Sequence, residues 1–158
     1  MPNKEITTEL GIFKEASYGE SWILDKKLKT AYFNNTEAEI VIKFLDNLQT
    51  QDALLDLLGK FVSLPENECS KLEKHIFQNY IEFGDAVGFE ELPEIKNSSE
   101  VWQYLNDTRI YFFEDYYIPG ILKVGFTFES DWEQEHGLGI LLNSNFELIE
   151  VGYQDIVF

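Results

Sequence analysis

Three carboxylates and an imidazole fall within six consecutive positions late in this chain: Asp131, Glu133, Glu135 and His136, in the stretch Asp131-Trp-Glu-Gln-Glu-His-Gly-Leu-Gly139. These are the side chains that ligate metals and move protons near neutral pH. A metal-dependent reading would use Glu133, Glu135 and His136. In an extended segment Glu133 and Glu135 share a face and His136 points away, so the three do not close a compact site unaided. A zinc-protease arrangement needs two histidines four apart on a helix, and this segment has one histidine. No metal and no cofactor is therefore expected. A His–Glu acid/base pair is chemically open, although no nucleophile or oxyanion device lies nearby. The expected role of Trp132, His136 and Gly137 is structural. Trp132 would pack on the sheet edge, the carboxylates would meet backbone donors, and Gly137 and Gly139 would relax the backbone.

Elsewhere the motifs of common chemistry are missing. No glycine-rich loop ends in Gly-Lys-Ser/Thr, no Gly-x-Gly-x-x-Gly opens a helix, and no serine sits in a nucleophile elbow. Cys69 falls on an apolar helical stripe and reads as core. His75, on the same stretch, has no ligand spacing around it and reads as structural or solvent-facing.

Aromatic side chains form the second concentration: ten lie between Trp102 and Trp132. Strand alternation cannot send consecutive Tyr111-Phe112-Phe113 and Tyr116-Tyr117 to one side. Either both faces of a sheet are covered, or some rings are exposed. The exposed case would set Tyr116 and Tyr117 beside Glu114 and Asp115, a composition suited to anchoring a protein partner.

The elements that must position these residues are legible from periodicity. Leu10–Phe13, Ser21–Leu24, Thr30–Phe33 and Glu39–Phe44 read as an antiparallel meander, divided by Gly19, Lys26-Lys27 and Asn34-Asn35. The period then changes. Leu54, Leu57, Leu58 and Phe61 share a helical face within Gln51–Val62, with Thr50 as N-cap. A second helix starts near Pro65, runs its stripe through Cys69, Leu72, Ile76, Tyr80 and Phe83, and stops at Gly84. Asp85–Lys96 reads as a loop. Asn97 and Glu100 predict a capping box opening a short helix to Tyr104 or Leu105. Arg109–Tyr117, Ile121–Phe128, Leu138–Leu142 and Phe146–Val151 return to strands, with turns at Pro119-Gly120 and Asn143–Asn145. The expectation is one α+β domain over residues 1–158: a mostly antiparallel sheet with two to three helices packed on one face.

Charge narrows the partners. The chain of 158 residues has 29 acidic and 12 basic residues, a net charge of −17. The excess is uneven: residues 79–158 hold 16 acids against Lys96, Arg109 and Lys123, a balance of −13. Such a surface repels a phosphate backbone, so nucleic acid is not an expected partner. It would attract a basic protein and speed its capture. It would equally serve solubility alone. A lone cysteine, no signal-like N-terminus and no long uncharged apolar run predict a cytoplasmic protein with no membrane partner.

The stretch from Ile121 to Gly152 resembles uncharacterised bacterial domains in which a strand leads to a Trp-acid-x-Glu-His-Gly-Leu motif, then a strand, a turn and a Val-Gly pair. Here these are Trp132 to Leu138, Asn143 to Asn145, and Val151-Gly152. Trp22 and the Gln51-Asp-Ala-Leu-Leu55 helix are similar too. Domains of this kind resemble immunity proteins of polymorphic toxin systems, which implies an α+β fold and a non-enzymatic role. The expected function is neutralisation of a cationic toxin by occluding its active surface. The contact candidates are Glu114, Asp115, Tyr116, Tyr117, Asp131, Glu133 and Glu135. The alternatives are a small enzyme or metal-dependent protein centred on Glu133, Glu135 and His136, and a ligand-binding regulatory module with an aromatic pocket.

Overall fold

The computed structural model describes residues 5–16, 20–44 and 48–158; Gly19, read above as a strand separator, lies outside them. The chain is α+β, as its periodicities predict. Among the described residues nine strands make one sheet: β1 (Glu5–Thr8), β2 (Gly11–Glu15), β3 (Ser21–Leu24), β4 (Leu28–Thr30), β5 (Thr36–Lys43), β6 (Leu105–Glu114), β7 (Leu122–Ser130), β8 (Leu138–Asn143) and β9 (Leu148–Gly152). The order is β1-β2-β3-β5-β6-β7-β8-β9, with β4 paired to β5. Between β5 and β6 come α1 (Leu48–Val62) and α2 (Glu73–Val87).

All the strand pairs are antiparallel except β5 with β6. A parallel pair needs a long crossover, and the two helices supply it. Register then decides which side chains meet those helices. Trp22, Ile42, Phe112, Val124 and Leu142 form one continuous row across the sheet, and Ile40, Ile110, Phe126 and Ile140 form the next. Every residue of both rows is buried in the main core, against Leu54, Leu57, Leu58 and Phe61 of α1 and Ile76 and Tyr80 of α2. The row between them faces the other way: Val41, Tyr111, Gly125 and Leu141. There a C-terminal 3-10 turn, Gln154–Val157, lies across the sheet and buries Val157 against Val41 and Tyr111. A side chain at Gly125 would occupy the space of Val157, so this strand gives up a residue of high β propensity to let the turn approach.

Several boundaries differ from the sequence reading. Tyr32 and Phe33 belong to a 3-10 turn, Ala31–Phe33, because both rings are drawn into the core beside Phe61 and Phe126. Thr50 lies inside α1 rather than capping it. A 3-10 turn, Glu68–Leu72, precedes α2, and that helix passes through Gly84 to end at Val87. Gly84 lies inside that helix, and its missing side chain makes room for the Phe89 ring. The capping box of Asn97 and Glu100 is present, but it opens a 3-10 helix, Ser98–Tyr104. Phe146 is in the β8–β9 turn with φ 64°, and β9 begins only at Leu148. Strand β1 was not anticipated. Among the described residues no helix is long and apolar enough to cross a membrane.

Candidate functional site

Strand β7 has nine residues, so its two ends stand roughly 27 Å apart at about 3.3 Å per residue. The seven contact candidates divide between those ends. Glu114, Asp115, Tyr116 and Tyr117 are at the β6–β7 turn; Asp131, Glu133 and Glu135 are in the β7–β8 connection. The structure does not bring them onto one patch.

The β6–β7 turn is built around one carboxylate. Asp115 Oδ1 accepts hydrogen bonds from the Tyr117 and Ile118 amides at 2.8 and 2.9 Å, the local bonding for which aspartate is favoured in turns. Its other oxygen pairs with Lys123 Nζ at 2.6 Å. Lys123, followed by the two amides, holds the Asp115 carboxyl below the usual carboxylate range. Asp115 N–H donates to Ile121 O at 2.7 Å and Ile121 N–H to Ile118 O at 3.3 Å. Gly120 N–H reaches Glu114 Oε2 at 3.3 Å, and that oxygen lies 3.5 Å from Thr50 Oγ1 in the first turn of α1. The amides of Asp115, Tyr117, Ile118, Gly120 and Ile121 are therefore all bonded within the turn, and Pro119 has none to offer.

What this scaffold presents is apolar. Tyr116 and Tyr117 are 90% and 87% exposed, and Ile118 and Ile121 are exposed beside them. The two phenol rings meet edge to face at 5.3 Å. From Tyr116 to Ile121 no residue carries a charge. Tyr111, Phe112, Phe126 and Phe128, by contrast, are buried, so the ten clustered aromatics follow both of the readings left open above.

The β7–β8 connection inverts that arrangement. Ser130 Oγ accepts from the Trp132 and Glu133 amides at 3.3 and 3.2 Å. Trp132 is 2% exposed, stacks edge-on to Tyr80 and donates from Nε1 to Asn79 Oδ1 at 3.2 Å. It thus packs beneath α2 rather than on the sheet edge. The segment is a turn and not extended: Gly137 N–H bonds Glu133 O at 2.9 Å. Gly137 has φ +65°, and an added Cβ would sit 2.6 Å from Phe128 O, so the position demands glycine. Glu133 is buried and turned inward, its Oε1 3.3 Å from the His136 amide and 3.4 Å from Nδ1. The His136 ring stacks on Tyr153 at 4.5 Å. Asp131 takes the Asn106 amide at 3.3 Å, and Glu135 is exposed.

Asn106, Glu129, Asp131, Gln134, Glu135, His136 and Gln154 are among the residues around a polar cleft of about 490 Å³ at this end. His136 oriented by Glu133 has the form of an acid/base pair. The hydroxyl among the lining residues is Ser130, already committed to two amides. Among the described residues no group of three or more His, Cys, Asp or Glu side chains is placed to hold a metal. Cys69 is buried, its thiol pushed up to about 11 by burial and then by Glu73; His75 is exposed.

Residues 12–158 match a family described as a domain of unknown function, DUF6985. The chain belongs to that family. The match spans β2 through the C-terminal turn and leaves β1 outside. No curated protein and no solved structure matches this DUF6985 chain. Reading the sequence missed Lys123, Thr50 and Ile118 at one end of β7, and Asn79, Tyr153 and Gln154 at the other. Asp115 followed by Tyr-Tyr-Ile-Pro-Gly was the available signal for the first set. Nothing local signalled the second, whose members come from distant positions.

Proposed function

We propose that this DUF6985 domain is a non-catalytic binding protein that captures a basic protein through the β6–β7 tip. The observation that carries the reading is the pair of tyrosines at 90% and 87% exposure on a turn in which the amides of Asp115, Tyr117, Ile118, Gly120 and Ile121 are internally bonded. Rigid aromatic side chains lose little entropy on contact and are favoured as anchors. Donors already bonded within the turn can be dehydrated without being orphaned. The net charge of −17 favours a cationic partner and disfavours an anionic membrane surface as the target of the apolar tip. The resemblance to immunity proteins supplies the finer proposal, a toxin as the partner. Asp131 and Glu135 then act at a distance, as part of the steering field, rather than beside the tyrosines.

The test is co-expression with the product of the adjacent gene, scored by growth rescue and by pull-down. Rescue that fails for the Tyr116→Ala, Tyr117→Ala double variant supports the reading. A neighbour without toxicity, and no basic partner retained at low salt, overturns it. With a partner in hand, raising salt to several hundred millimolar should slow association about tenfold or more and change dissociation much less.

A further inference from the structure

The tyrosine tip leaves the polar cleft at the other end of β7 without a role. That cleft measures about 490 Å³, within the usual range of about 300–1,000 Å³ for ligand sites. Its lining residues all belong to the unbroken described stretch 48–158. β5 brings Lys43 beside Phe113, so the chain beyond Phe44 departs from the opposite end of β6 to the cleft residue Asn106. Two groups in the cleft have hydrogen-bonding capacity that the protein itself does not meet. The first is Ser130, only 3% exposed. A hydroxyl has two lone pairs and one proton. The Trp132 and Glu133 amides take the lone pairs, and among the described residues the O–H meets no acceptor. A donor this buried is costly unless something accepts from it, and Ser130 lines the cleft. The second is His136. Its Nδ1 lies 3.4 Å from Glu133 Oε1, and a carboxylate only accepts. The proton of the neutral ring therefore sits on Nδ1 and leaves Nε2 as an acceptor. One face of that ring stacks on Tyr153 at 4.5 Å and 21°, and the side chain is still 47% exposed.

Around these two groups stand the exposed carboxylates of Asp131 and Glu135, and no lysine or arginine lines the cleft. Asp131 uses Oδ1 to hold the Asn106 amide, which leaves Oδ2. Carboxylates alone would attract any cation. Acceptors divided between carboxylates and an imidazole nitrogen, beside a flat ring held by Glu133 and Tyr153, favour a planar cation with several donors. Guanidinium fits that description: five N–H groups in a rigid fork, with faces that stack on aromatic rings. An ammonium is compact and has no face to stack. Neither cation offers anything to Ser130, whose O–H needs an oxygen; the carbonyl of an arginine residue supplies one. We infer that this cleft takes an arginine residue of another protein. Its guanidinium lies against the His136 ring and the Asp131 and Glu135 carboxylates, and its main-chain carbonyl accepts from Ser130. A second copy of this chain would bring a further net charge of −17 against the first and is disfavoured. The cleft and the tip are a strand's length apart, so either assignment can fail alone.

The test uses the full chain, labelled with ¹⁵N, and N-acetyl-arginine N-methylamide as probe. The expected result is saturable shifts of the Asn106, Asp131–Gly137 and Gln154 amides and of the His136 ring protons, with an affinity of about 1 mM. Three relatives of the probe separate the contacts. The lysine analogue lacks the planar fork, the citrulline analogue lacks the charge, and propylguanidinium lacks the carbonyl. Each should bind about tenfold more weakly or worse. Asp131→Asn and Glu135→Gln, both at exposed positions that folding tolerates, should each weaken the arginine probe severalfold and leave the rest of the spectrum unchanged. No saturable shift, or shifts confined to residues 114–121, would overturn the inference. Equal binding of the lysine analogue would reduce the cleft to a general cationic attraction, and equal binding of propylguanidinium would remove Ser130 from the site; either result overturns it too.

Discussion

At one end of β7, Tyr116 and Tyr117 stand in solvent; at the other, Trp132 lies beneath α2. Both connections are short, acidic and aromatic, and in both a side-chain oxygen ties down two successive amides: Asp115 in the first, Ser130 in the second. The local chemistry is alike, so it cannot be what sends one set of rings out and the other in. The helical layer decides. α2 runs over the end where Trp132 emerges and offers Asn79 and Tyr80 to receive it. At the tip, Thr50 in the first turn of α1 touches Glu114, while Tyr116 and Tyr117 stay exposed. An aromatic becomes core or contact surface according to what packs above it, and that information lies some 50 to 65 residues away along the chain.

The strongest way to break this contrast is at Trp132. Trp132→Ala should cost about 3–5 kcal/mol, as for other buried large aromatics, read from the urea midpoint at unchanged slope. A loss below about 1 kcal/mol would mean that α2 does not depend on this ring, and the contrast would collapse. Next in size is Gly137→Ala. The left-handed backbone alone should cost about 1–2 kcal/mol, and crowding against Phe128 O adds to it. A neutral result would show that the turn relaxes, leaving the His136–Glu133 pairing unsupported as described.

How much of this was written in the sequence differs between elements. Ile121–Phe128 and Leu138–Leu142 were legible as neighbouring strands because their apolar runs are bounded by turn residues. α1 was legible because Leu54, Leu57, Leu58 and Phe61 repeat at helical spacing. The parallel pairing of β5 with β6 was not, since it depends on where a crossover of more than sixty residues returns. Tyr32 and Phe33 were misread for a related reason: their apolar type fits a strand, and only the aromatic cluster around Phe61 and Phe126 bends them into a 3-10 turn. For the candidate site, residue types were legible and grouping was not. Asp131, Glu133 and Glu135 share a composition with Glu114 and Asp115, but a full strand separates them.

A sharper probe of the tip is its response to acid. Asp115 has its carboxyl pKa depressed in the folded state, first by Lys123 and then by the Tyr117 and Ile118 amides. Its contribution to the ordered turn is therefore fully present above the ordinary aspartate value near about 3.9. It is lost only as pH falls further, through the folded value. The Tyr117 and Ile118 amide shifts should titrate together below that ordinary value, and Asp115→Asn should abolish the transition. Titration at or above the ordinary value would show that Lys123 does not hold the carboxylate. The tip would then be a loose loop and a poor anchor.

The smallest expected effect is the one that separates contact surface from core. Tyr116→Ala and Tyr117→Ala should each change stability by no more than about 0.5 kcal/mol, the usual range for surface positions without a structural role. The rings contact each other at 5.3 Å, and edge-to-face pairs contribute on the order of 0.5–1.5 kcal/mol when well packed. At nearly full exposure most of that is matched by solvation, so the double variant should sit close to the sum of the singles. A combined loss above about 2 kcal/mol would place the tyrosines among groups that hold the fold. The turn would then be ordered by its rings and not by Asp115, and their exposure would no longer speak for a partner. Near-neutral stability together with lost growth rescue would be the opposite pattern: side chains kept outside the core because their contacts lie on another molecule.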